Sequence, residues 1–212
     1  GGFLPYLFIL FTFMGAMYPG LDLGAGEKER GTMETILSSP ASRLEIVLGK
    51  FGVIMTAGIA TALISFASLN VAVQLFPEIP VDILDIISSM LGVKMVALIL
   101  TLIIPIAVFF SAAILSLSIY ARSFKEAQSI VTPLNIAIIV PAAIGLTPGM
   151  ELNKITALIP ILNVSLATKE MLSGSINWIL LSEVYASLIV LAGFSLWFCV
   201  KWFNREETIF RN

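Results

Sequence analysis

The chain has 212 residues, 58% of them hydrophobic and 12% charged, with a formal net charge of −2. A soluble domain carries about 25% charged residues, so this chain lacks the polar side chains to cover a surface facing water. It has no histidine and one cysteine, Cys199, which excludes histidine-based zinc sites, Ser–His and Cys–His nucleophile pairs, and any disulfide within the chain.

Its apolar residues come in long unbroken runs. A helix needs about 20 apolar residues to cross the hydrocarbon core, and a barrel strand would alternate instead. The expectation is an all-α membrane protein, a polytopic bundle forming one membrane domain with five spans. In chain order these are Phe3–Leu21, 51–75, Val93–Tyr120 with Pro105 inside, 129–146 with Pro133 and Pro141, and Trp178–Phe203. The first run follows Gly1 with no charged leader and no cleavage site, so it reads as a span and not as a signal peptide. Two segments do not fit simple hairpins. Residues 81–91 carry Ile83, Ile86, Ile87 and Met90 at helical spacing and predict a short external or interfacial helix. Residues 152–172 are apolar but broken by Pro160 and Asn163 into two halves, the pattern of a re-entrant or interfacial segment.

Basic residues set the orientation. Lys28, Arg30, Arg43, Lys50, Arg122, Lys125, Lys201, Arg205 and Arg211 fall on one side; only Lys94, Lys154 and Lys169 fall on the other. The first side is read as cytoplasmic, with the C-terminus inside. Five spans then put Gly1 outside, which implies at least one earlier span in a longer protein.

The loop after the first span carries most of the chemistry. It reads DLGAGEKERGTMETILSSPASRLEIVLGK from Asp22 to Lys50. Gly24 and Gly26 are expected to end the span, and Glu27, Lys28, Glu29 and Arg30 to form a charged turn. Residues 32–38 predict a short amphipathic helix, with Met33, Ile36 and Leu37 on one face and Glu34 and Thr35 elsewhere. Pro40 stops it. Ser42 followed by Glu45 is a capping box that opens a second helix, 43–50, ahead of the next span. A short helix with an apolar stripe suits docking in a groove of a cytoplasmic partner, the alternative being a solvated loop that merely fixes orientation.

The string GEKERGTMETILSSPASRLEIVLGK closely resembles the cytoplasmic loop of type-2 ABC export permeases, and more narrowly the sodium-exporting branch. YARSFKEAQSIVTPL (residues 120–134) and IPILNVSLATKEMLSG (159–174) are similar to the same family. The resemblance implies an ABC transporter permease of a prokaryotic plasma membrane that pairs with a second copy or a paralogue. Separate ABC ATPase subunits would sit beneath it, carry Mg-ATP and drive export of a substrate such as sodium. Glu27, Glu29, Arg30, Gly31, Thr32 and Glu34 would be the docking stretch of a coupling helix. Ser42 to Lys50, including Arg43 and Glu45, would pass motion into the second span. The segment around Pro160 and Asn163 would cap the pathway on the outer side. The family's full permease has six spans and an extracellular domain after the first, so this chain would lack that span and domain. The chain has no GxxxxGK[ST] loop, so ATP chemistry falls to a separate chain.

Pathway candidates are few. Glu183 is the clear ionisable residue within a span; it could line a cation path, pair with Lys94, or lie shallow at headgroup level. Asn70, Gln74, Thr132 and Asn135 could offer oxygens to a small cation or simply hydrogen-bond between helices. Trp178 and Trp202 suit interfacial anchoring. Other cargoes, a peptide, drug or lipid, and an ATP-independent secondary transporter or channel are the competing readings. An intramembrane protease would need a catalytic pair at depth, and Asp22, Asp82 and Asp85 all lie outside the spans. No catalytic, cofactor or metal residues and no nucleic-acid partner are expected.

Overall fold

The apolar run from Phe3 to Leu21 forms α1, whose buried face carries Phe8, Ile9, Phe13, Ala16 and Leu21. The computed structural model describes residues 3–75, 93–147 and 149–203. The helix expected over 81–91 lies outside the described residues, as do the side chains of Leu37, Gln74 and Lys94. The remaining helices are α2 (Glu27–Glu29), α3 (Thr32–Leu37), α4 (Arg43–Leu75), α5 (Val93–Tyr120), α6 (Phe124–Ile144), α7 (Leu162–Ser173) and α8 (Trp178–Phe203). A 3₁₀ turn, Thr156–Leu158, precedes α7. Among the described residues, five helices are long and apolar enough to cross a membrane. The fold is an all-helical polytopic membrane bundle.

α5 is the central helix. It packs against α1, α4, α6 and α8, and its Phe110, Ile114, Leu115 and Ile119 are fully buried. α1 packs along α4, where Phe8 stacks on Phe66. The outer surface inverts the pattern of a soluble protein, with Ile64, Val71, Ile189, Val190 and Phe194 all more than half exposed. Such a surface is stable against acyl chains and not against water. Hydroxyls inside the bundle bond back along their own helices: Thr12 Oγ1 donates to the Phe8 carbonyl at 2.7 Å and Ser111 Oγ to the Ala107 carbonyl at 2.6 Å.

Three sequence expectations are corrected. The first helix does not end at Gly24 and Gly26; it continues through a π-helical stretch, Asp22–Gly26, into α2. The expected helix over 43–50 is not separate, because α4 runs unbroken from Arg43 to Leu75. α6 starts at Phe124 instead of Ser129, since Ser123 caps it by accepting from the Glu126 amide at 3.2 Å. The capping box at Ser42 is present: Glu45 N–H donates to Ser42 Oγ at 3.3 Å, and Ser42 N–H to Glu45 Oε2 at 2.7 Å.

Candidate functional site: the loop between the first two long helices

The π-helical stretch has an identifiable cause. In a regular helix the Ala25 N–H would donate to the Leu21 carbonyl four residues back. Instead the hydroxyl of Ser118, from α5, sits between them. It accepts from Ala25 N–H at 2.9 Å and donates to the Leu21 carbonyl at 3.1 Å. The turn widens, and the Glu27 N–H bonds to Asp22, five residues back. Gly24 permits this approach, because a Cβ there would collide with the Ser118 side chain. Further on, Gly31 adopts φ 69°, the left-handed conformation that separates α2 from α3.

α2 sets three consecutive side chains against three long helices. Glu27 forms a buried ion pair with Lys50 of α4, the two side chains 10% and 6% exposed. Lys28 Nζ donates to the Ile119 carbonyl near the end of α5. Glu29 Oε2 accepts from the Phe124 N–H, the first amide of α6, at 2.7 Å. That carboxylate also complements the positive end of the α6 dipole. Lys50 is satisfied further by the Leu23 carbonyl at 2.6 Å and lies 3.8 Å from Met33 Sδ. A buried charge persists only with such full pairing.

The residues expected to dock a partner therefore divide. Glu27 and Met33 are buried, turned into the chain's own core. Ile36 is half-buried. Gly31, Thr32 and Glu34 are exposed, as are Glu29 and Arg30; Thr35, which is not among the expected residues, is exposed beside them. Arg30 is held by Asp22 through contacts of 2.7 and 3.3 Å, and this bond pushes its guanidinium pKa up, burial acting against it. Beside the pair a recess of about 340 Å³ opens between Tyr18, Glu29 and Phe124. On α4, Ser42 and Glu45 are exposed and Arg43 half-buried.

At the other end of the bundle three predicted pathway residues converge. Asn163 does not break a helix; it is the second residue of α7 and fully buried. The break falls just before it, where Ile161 is forced to φ 72°, a strained value for a β-branched residue. Asn163 Nδ2 donates to the Ala157 carbonyl at 2.9 Å and to Ser187 Oγ at 2.8 Å. Pro160, Glu183 and Ser187 line one cavity of about 540 Å³ against α8. Glu183 is partly buried, with no hydrogen-bond or ion-pair partner among the described residues. Asn70 and Asn135 are partly buried on α4 and α6 and do not join this group. Thr132 is exposed and bonds the Gln128 carbonyl of its own helix at 2.8 Å. The Oδ1 atoms of Asn135 and Asn163 are buried and have no hydrogen-bond partner among the described residues.

Sequence reasoning missed Ser118, Lys28, Asp22 and Ser187 as structural partners. A serine inside the most apolar run was the available signal for Ser118; the others look like ordinary loop charges or helix serines.

No solved structure matches the chain. It is 29% identical over 178 residues to the ABC transporter permease protein NatB of Bacillus subtilis, a stretch that is 82% of this chain and 45% of that relative. The chain thus spans less than half the length of that curated relative. The family model described as ABC-2 family transporter protein matches residues 1–201. An α-helical bundle whose first loop reaches three of its long helices, matched by that model over nearly its whole length, belongs to the ABC-2 family of transporter proteins.

Proposed function

We propose that this chain is the membrane-spanning part of the permease subunit of an ATP-driven exporter. ABC ATPase subunits, with their Mg-ATP, dock on the exposed side of α3, and the permease pairs with a second copy or a paralogue. It performs no covalent chemistry itself. The observation that carries the reading is the three-way attachment of α2 to α4, α5 and α6. A push on the loop then reaches three long helices through bonded contacts, and a docked motor moves a bundle only if docking favours one of its states. Gly31, Thr32, Glu34 and Thr35 are the docking face, while Glu27, Met33 and Lys50 are the internal linkage. The excess of basic residues on this side supports a cytoplasmic position for the loop and the C-terminus.

Sodium is the proposed cargo. The buried Oδ1 of Asn163, which has no hydrogen-bond partner among the described residues, supports it, since a hard cation takes oxygen ligands. The resemblance to a protein named NatB supports the same branch.

The test is to co-purify the full-length permease with the ABC ATPase encoded beside it, native and as a Glu34→Lys/Thr35→Glu variant, and to follow sodium efflux from energised vesicles. Loss of the ATPase, or of efflux with hydrolysis intact, is expected in the variant. Efflux that persists without any bound ATPase overturns the reading in favour of an ATP-independent transporter. ATP-dependent activity without sodium movement leaves the exporter and removes the cargo.

A further inference from the structure

We propose that the groove along the Trp178 end of α8 binds a single-chain amphiphile with a primary ammonium head. The head sits at Glu183 and Ser187, and the chain lies along Val190, Leu191 and Phe194. This goes beyond the exporter reading and stands apart from it, because binding here needs no ATPase and no particular sidedness.

The cavity residues on α8 recur at helical spacing, from Glu183 through Ser187, Val190 and Leu191 to Phe194, so they form one continuous face. Leu158 and Pro160 close the other wall. Eleven residues of helix separate Glu183 from Phe194, about 16 Å at 1.5 Å per residue, close to half of the ~30 Å hydrocarbon core. The groove is therefore as long as one leaflet's acyl layer. Its polar groups lie toward the Trp178 end and its apolar ones toward the interior of the span. Val190 and Phe194, 70% and 61% exposed, leave it open to the side, so a lipid-soluble molecule can enter from the bilayer.

The head chemistry follows from the two polar side chains. Glu183 has no partner among the described residues; a partly buried carboxylate left so inside a membrane helix is costly, and a cation offsets that cost where an anion or neutral head does not. The Ser187 hydroxyl already donates within the protein, to the Ala157 carbonyl at 3.2 Å or the Val184 carbonyl at 2.9 Å. It also accepts from Asn163. One lone pair remains, so Ser187 can only accept from a ligand. Among amphiphile heads, the one that fits is positively charged and carries N–H donors, which a primary ammonium satisfies and a quaternary one does not.

The test uses the full-length permease in phosphatidylcholine nanodiscs and a dodecylammonium probe with a diazirine at the chain end, the labelled residues being mapped by mass spectrometry. Labelling is expected on 190–194, displaced by dodecylammonium and not by dodecyl sulfate. Glu183→Gln is expected to weaken it about tenfold, the loss of one charge-assisted contact. Glu183→Asp should retain most of it, which separates a charge effect from misfolding. Leu191→Trp should block it by filling the groove. An aminophospholipid that co-purifies with the native protein and not with Glu183→Gln identifies the bilayer as the source. Displacement without any co-purified lipid identifies a free amphiphile. Equal labelling in Glu183→Gln, labelling away from α8, or efficient disulfide formation between Val190→Cys residues of two copies, meaning that another protein surface fills the groove, overturns the proposal.

Discussion

Lys50 has the most to lose from a single change. Its ammonium is shielded from water and held by the Glu27 carboxylate and the Leu23 carbonyl. Replacing it with methionine leaves Glu27 buried without a counter-charge, and breaking a buried pair from one side costs about 3–5 kcal/mol. Lys50→Met is expected to lower thermal stability in detergent sharply, read by fluorescence-detected gel filtration after heating. Glu27→Gln with Lys50→Met should recover most of that loss, since replacing both partners leaves no orphan charge. If the double variant is as unstable as the single, the pair is not the source of the effect. Met33 belongs to the same cluster, so an acidic substitution there tests packing and not partner docking.

At the scale of elements, the joint between α1 and α2 depends on a residue 93 positions away. Ser118→Ala removes the hydroxyl that holds the Leu21–Ala25 bond open. The helix is expected to close to a regular turn there, turning Glu27, Lys28 and Glu29 away from their partners on α4, α5 and α6. Hydrogen exchange should then rise at Phe124, whose amide loses the Glu29 carboxylate, while exchange within α8 stays unchanged. Glu29→Ala isolates the α6 contact and should cost about 0.5–2 kcal/mol, the range for loss of a helix N-terminal partner. Unaltered exchange at Phe124 in both variants would show that α6 is positioned without help from α2.

For the whole molecule, the ends of α1 and α5 and the starts of α4 and α6 meet at one face, bonded through Glu27, Lys28 and Glu29. α8 begins at the other end of the bundle. In a cysteine-free background, Ser38→Cys is expected to react with a membrane-impermeant maleimide only in inside-out vesicles. Ser175→Cys should react in intact cells. Both serines are exposed, so in membranes stripped of the ATPase access depends on sidedness alone. The reverse labelling pattern would invert the proposed orientation and place the proposed docking loop outside, which no ATPase could reach.

The helical class, the positions of the long apolar helices and the capping box at Ser42 were legible in the sequence because each depends on neighbours a few residues apart. Hydropathy over about 20 residues sets a span, and a hydroxyl three residues before a carboxylate sets a cap. The loop string was also sufficient to suggest the family. Which way the loop's side chains point was not legible. Glu27 and Lys50 are 23 positions apart, Glu29 and Phe124 95 apart, and Ala25 and Ser118 93 apart; no local pattern relates such pairs. Met33 carried the same periodic signal whether its face met a partner or the chain itself, and only packing against Lys50 settled that. Pro160, Asn163 and Glu183 looked like separate irregularities on the line of the chain. The tertiary structure joined them through Ser187, because the fold of α7 against α8 brings residues more than twenty positions apart within hydrogen-bonding distance.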